Sequence, residues 1–166
     1  GYLLVEAAGA CPDHDSEKLS VFLDHAMESE NALSTDAVLS QSSQQGVGMW
    51  RLRESCPVAL TGSGFQCYKY DLSLPLSLFP VAVEATKRRL ADAGLLSPEP
   101  LLASSKERVQ ENLAELVCWG HLGDGNLHLN VITAQSSTAV EACLEPWLFS
   151  WVAEQGGSIS AEHGVG

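Results

Sequence analysis

Gly120-His121-Leu122-Gly123-Asp124-Gly125-Asn126-Leu127-His128-Leu129-Asn130 sets two histidines on either side of a tight Gly-Asp-Gly-Asn turn. Glycine and asparagine tolerate the left-handed backbone that a short chain reversal needs, so this turn predicts a β-hairpin. Residues Leu127 to Thr133 alternate in the manner of a strand. A hairpin here puts His121 and His128 on neighbouring strands. It also puts His128 and Asn130 on one face of theirs, because strand side chains repeat every second residue.

Outward from the hairpin, strand and helix periodicities alternate. Upstream, Tyr68 to Leu72 reads as a strand. Pro75 then opens a helix to about Ala93, with Phe79, Val83, Thr86 and Leu90 on one face and Gly94 as its stop. Downstream, Ser137 to Gln155 reads as a helix, with Pro146 as a point of bending and Gly156-Gly157 ending it; Ser158 to Glu162 reads as a last short strand. Nearer the start, Tyr2 to Ala7 reads as a buried strand and Asp13 to Glu30 as a helix, with Leu19, Phe22, Leu23, Ala26 and Met27 at helical steps. Asn31 to Gln45 is polar and Ser-rich, which predicts a loop. Val47 to Leu60 has a helical look that Pro57 should end or kink. Leu95 to Ser105 reads as a linker or insertion; after it, Ser104 and Glu107 have capping-box spacing and Val109, Leu113 and Leu116 form one apolar stripe. The whole pattern predicts an α+β fold, a mainly antiparallel sheet with helices packed on one face. A parallel doubly wound sheet is the alternative. No Gly-x-Gly-x-x-Gly follows a strand, so a Rossmann dinucleotide site has no support.

The chain has 166 residues, the size of one ordinary domain, and both of its ends read as cut points. Its net charge of -12 argues against nonspecific nucleic-acid binding, which needs a basic surface. The same charge opposes an anionic ligand unless a site concentrates positive charge locally. No Lys or Arg follows Arg108, although the most motif-like residues lie beyond it. The five cysteines are irregularly spaced with no Cys-x-x-Cys, as expected of reduced thiols in a core. No run is apolar enough to cross a membrane as a helix, and no targeting leader is expected within the chain.

Four places offer chemistry. Histidine nitrogen is a good zinc ligand, so His121 and His128 across a hairpin form a candidate metal pair; the competing reading is incidental histidines in a polar turn. In Ser160-Ala161-Glu162-His163-Gly164, a carboxylate completes a His, His, Glu set, the composition of an open zinc site. Glu162 and His163 share a pocket only if the backbone bends there, and Gly164 permits that; otherwise they are an ordinary exposed pair. Arg53, in Arg51-Leu52-Arg53-Glu54, is a candidate anion partner or one residue of a solvated helix face. Lys69, between Tyr68 and Tyr70, is a second candidate cation or a snorkelling surface residue. A rival metal set joins Cys118 and His121, in Cys-x-x-His spacing, with His128 as a structural site.

Three stretches carry a family likeness: KYDLSLP (69–75), GHLGDGNLHLNV (120–131) and SAEHGVG (160–166). Together they resemble the C-terminal domain of FAD-linked oxidases. KYDLSLP and the LLVEAAG opening resemble the branch that oxidises D-2-hydroxyglutarate, and the likeness covers most of residues 1–94 and 116–166. The resemblance implies a ferredoxin-like α+β domain that is partial here, with residues 95–115 as an insertion and the flavin held mainly by an N-terminal domain absent from this chain. It implies FAD-dependent, zinc-assisted oxidation of D-2-hydroxyglutarate to 2-oxoglutarate, with hydride passing to the flavin. D-lactate oxidation and a non-catalytic zinc-binding remnant are the alternatives. By motif, His121, His128 and Glu162 match the zinc ligands; Arg53, Lys69 and Asn130 match substrate-binding positions; His163 matches the base beside the reacting carbon. Pro57 stands where the family usually has a substrate-holding Thr. A mitochondrial location and an electron-transfer flavoprotein as acceptor are further implications.

Overall fold

A computed structural model of the protein describes residues 1–28, 36–103 and 112–162. The chain forms two compact units, Gly1–Pro57 and Val58–Gly166.

The first unit is helical. Helix α1 spans Pro12–Glu28, with Asp13 and Asp15 in its first turn, where the helix dipole favours acidic groups. Helix α2 spans Ser43–Glu54 and is capped by the Ser42 side chain, which accepts a hydrogen bond from the Gln45 N–H. Helix α3, Cys56–Gly62, begins after a break at Ser55 and runs across the boundary between the units. The interruption expected from Pro57 is present: Pro57 is the second residue of α3, where the missing N–H has no helical partner to lose. The strand expected over Tyr2 to Ala7 does not form. Tyr2, Leu3 and Val5 are exposed, and the segment pairs with no strand among the described residues. An apolar run alone does not separate a buried strand from a bare extended segment.

The second unit is the α+β layer. Its elements are β1 (Gln66–Ser73), α4 (Phe79–Asp92), β2 (Ala114–His121), β3 (Asn126–Thr133) and α5 (Thr138–Glu154). The three strands pair antiparallel in the order β1-β3-β2. After α5 the chain returns to the free edge of β1, where Ser73 and Ser158 form one antiparallel bridge. The result is a β-α-β-β-α-β path with its fourth strand reduced to that bridge, a ferredoxin-like arrangement. The strand expected over Ser158 to Glu162 is therefore a correction. The ladder stops after Ser158: the Ser160 N–H donates to the Ser158 hydroxyl, and those of Ala161 and Glu162 donate to the Asp71 carboxylate. The helical stripe through Leu116 is a second correction. Leu116 lies inside β2, and Ser104, Glu107 and Val109 lie outside the described residues. Ala114 and Glu115, the last described residues of the expected insertion, already belong to β2.

One sheet face is closed by helices. Leu72 from β1 and Leu127, Leu129 and Val131 from β3 pack with Ala82 and Leu90 of α4 and with Val140, Leu144, Leu148 and Val152 of α5. Burial of each large side chain stabilises by about 1.5–3 kcal/mol, so this face fixes the strand register. Pro146 interrupts neither end of α5, which runs through it. On the opposite sheet face only a small cluster forms, Ile132 with Leu60 and Leu101. Cys67, Val117 and Trp119 pack at its margin, and polar groups share the rest of that face.

Candidate metal centre

The register decides which side chains share the open face. Three adjacent rows cross the sheet there: Ser73–Asn126–His121, Asp71–His128–Trp119 and Lys69–Asn130–Val117. Strand periodicity makes alternate rows point the same way, and the rows between them carry Leu127, Leu129 and Val131 into the helix-covered core. The hairpin itself turns through a short 3-10 segment, Leu122–Asp124, into Gly125, which has φ +65°. An L side chain there is strained, and glycine is not. Gly120 is required for a different reason: a Cβ at that position would overlap the backbone carbonyl of Asn126 on the partner strand.

The hairpin brings the rings of His121 and His128 together, 5.4 Å between centroids and nearly perpendicular. Glu162 joins them from the segment after α5. One ligand atom from each of His121, His128 and Glu162 lies within 4.8 Å of the others. Ligand atoms on one zinc stand about 3.4 Å apart, so modest side-chain rotation closes this group around an ion. Two imidazoles and a carboxylate are the donor set of an open, three-ligand zinc site, so the residues fit the metal. The rival set fails. Cys118 pairs with Leu129 in the register and packs against the helix-covered core, away from the histidines. Its burial pushes the thiol up to about 11, the property of a core cysteine rather than a ligand.

Asp71 ties the site together and was not singled out from the sequence. Its Oδ1 lies 3.3 Å from Nδ1 of His128 and accepts a 2.9 Å hydrogen bond from Nδ2 of Asn126. Its Oδ2 accepts from the backbone N–H groups of Ala161, at 3.1 Å, and Glu162, at 2.8 Å. Burial alone would push this carboxyl up; the hydrogen bonds from Glu162, Asn126 and Ala161, with His128 beside it, more than offset that and hold it below its ordinary value. The signal was present in Tyr68-Lys69-Tyr70-Asp71, since the two-residue period that exposes Lys69 places Asp71 on the same face. Trp119 was also missed; it leans over His128, with ring centroids 6.2 Å apart.

The other expected site residues are distributed unevenly. Lys69 is exposed on β1, directly across from Asn130. Asn130 is buried and its amide is already engaged: Nδ2 donates to the carbonyls of Val117 and His128, and Oδ1 faces the Cys67 thiol at 3.8 Å. Arg53 is half-buried in the last turn of α2, and Pro57 is exposed in the first turn of α3; both belong to the first unit. His163 lies outside the described residues.

The signature of "FAD linked oxidases, C-terminal domain" matches residues 1–166. The chain belongs to this family. It is 41% identical over 165 residues to a mitochondrial D-2-hydroxyglutarate dehydrogenase of Bos taurus, a match covering 99% of this chain and 26% of that protein. It is 40% identical over 165 residues to a putative mitochondrial D-lactate dehydrogenase of Schizosaccharomyces pombe, covering 99% of this chain and 29% of the relative. A D-2-hydroxyglutarate–pyruvate transhydrogenase of Saccharomyces cerevisiae is 36% identical over 168 residues, with 31% of its length covered. The chain thus spans under a third of the length of these curated relatives.

Proposed function

We propose that this chain is the substrate- and zinc-binding part of a mitochondrial, FAD-dependent enzyme that oxidises D-2-hydroxyglutarate to 2-oxoglutarate. The observation that carries the reading is the gathering of His121, His128 and Glu162 beside the Lys69–Asn130 row, all on the sheet face that the helices leave open. Mitochondrial relatives named for this substrate support it. A zinc ion held by those three residues would supply Lewis acidity, making a bound hydroxyl easier to deprotonate. FAD, held mainly by a domain outside this chain, would supply the hydride acceptor. His163, next in sequence to Glu162, takes the hydroxyl proton as general base. Lys69 presents an ammonium with no hydrogen-bond or ion-pair partner among the described residues, and it pairs with the remote carboxylate. Arg53 serves as a second cation for that same carboxylate. Asn130, with its amide already tied to Val117 and Cys67, shapes the floor between Lys69 and the metal. Of residues 95–115, those ahead of β2 are an insertion outside this machinery, and reduced flavin passes its electrons to an electron-transfer flavoprotein.

The relative named for D-lactate marks a second reading, in which the substrate has one carboxylate. A second carboxylate needs a second cation, and the exposed Lys69 provides it, so the dicarboxylate reading is preferred. The test is anaerobic mixing of the intact, flavin-loaded enzyme with each substrate while flavin absorbance is followed. Faster bleaching by D-2-hydroxyglutarate is expected. Bleaching by D-lactate alone, or by neither, overturns the proposal.

A further inference from the structure

We infer that Asp71 is the positioning residue of the metal centre, holding two of its three ligands in place through one carboxylate. The inference rests on the zinc reading above and goes beyond it. Asp71 lies directly across β1 and β3 from His128, and its Oδ1 faces Nδ1 of that ring at 3.3 Å. A carboxylate in this position selects the tautomer with the proton on Nδ1, in which Nε2 is the nitrogen able to ligate an ion. The second oxygen, Oδ2, takes the N–H groups of Ala161 and Glu162. Those two bonds draw the chain off the β1 edge just after the Ser73–Ser158 bridge, and so set where the Glu162 side chain begins.

The carboxylate is itself held. Nδ2 of Asn126 donates to Oδ1 at 2.9 Å, and Asn126 is buried in the next row of the same face. Three hydrogen-bond donors and the Nδ1 atom of His128 therefore converge on one side chain that is not a member of the ligand group. Two of these donors come from residues about 90 positions away in sequence. A purely structural carboxylate would have no reason to face a ligand ring and a ligand backbone at once. Among the described residues no carboxylate outside the ligand group gives His121 comparable support. Loss of Asp71 should therefore loosen His128 and Glu162 together.

The test uses the intact enzyme, stripped of metal and titrated with zinc against a chromophoric chelator. Asp71→Asn keeps the size but turns an N–H toward donors, and Asp71→Glu keeps the charge but displaces it. Zinc affinity should fall about 10- to 100-fold in Asp71→Asn, with partial recovery in Asp71→Glu. The thermal midpoint of the metal-free protein should stay close to the parent's. Affinity within about threefold of the parent, itself under 1 kcal/mol, overturns the inference while leaving the zinc reading intact. If the parent takes up no zinc, both fall. A variant that does not fold leaves a second check on the parent: a crystal structure of the zinc-loaded enzyme must show Nε2 of His128 on the ion and Nδ1 on Asp71. Coordination through Nδ1 would overturn the assignment.

Discussion

At the scale of single residues, Lys69 and Asp71 divide the labour of one strand. They are two apart on β1, so both reach the open face, one toward solvent and one toward His128. Under the proposed function, Lys69→Met removes the cation that meets the remote carboxylate. The expected loss on D-2-hydroxyglutarate is about 1–3 kcal/mol in kcat/KM, a charge-assisted hydrogen bond. D-lactate, which lacks that carboxylate, should lose little, so steady-state kinetics on both substrates are the check. Equal losses would show that Lys69 only supports the strand. The candidate ligands were legible in the sequence because histidines around a glycine turn advertise a hairpin. The face of Asp71 was legible by the two-residue period, but nothing in Tyr68-Lys69-Tyr70-Asp71 reveals that residues 161 and 162 will return to it. That contact depends on a crossover through α5, and local sequence does not encode the crossover's destination.

At the scale of elements, the β2–β3 hairpin is the unit that makes the site, and Gly120 is its tightest point. Gly120→Ala would drive a methyl group into the carbonyl of Asn126. The strands must then separate, and the expected cost is about 1–3 kcal/mol by overpacking. Because His121 is the residue next to Gly120, zinc affinity should drop along with stability. Leu129→Ala is the contrast. Leu129 is fully buried on the helix side, so about 2–5 kcal/mol of stability should go. The register, and with it the metal affinity of the folded fraction, should remain. Denaturant melts with and without zinc separate the two; similar zinc-linked shifts in both variants would refute the division of faces. The elements read correctly from sequence have strong local punctuation: Ser137 caps α5, and Gly94 and Gly156 end helices with positive φ, whereas α2 begins at Ser43, inside the stretch read as a loop. The misread ones lack it. Tyr2 to Ala7 is apolar without a partner strand, and Leu116 fits a helical stripe and a strand equally well until β3 claims it by pairing with Val131.

At the scale of the molecule, the dominant fact is charge. The chain carries -12 overall, and from Glu111 to Gly166 it has acidic residues and no Lys or Arg. All three candidate ligands lie in that stretch. A substrate with two carboxylates approaching it meets a repulsive field. Screening weakens that field at distances beyond roughly 8 Å at physiological salt, but not at contact. Lys69 and Arg53 come from earlier in the chain and together answer for one carboxylate under the proposed reading. The carboxylate beside the reacting hydroxyl then has no protein cation assigned to it. A dication on His121, His128 and Glu162 reverses the local sign, so metal should govern binding as well as turnover. Stripping the intact enzyme with a chelator and titrating it with 2-oxoglutarate, followed through the flavin spectrum, measures this directly. Binding should weaken at least ~10-fold, a change of about 1.4 kcal/mol. The loss should shrink at high salt, because the repulsion that the metal offsets is itself screened. Unchanged affinity with lost turnover would mean that the metal acts only on the transition state. In that case the acidic last third of the chain would have to be balanced by charges from elsewhere in the enzyme.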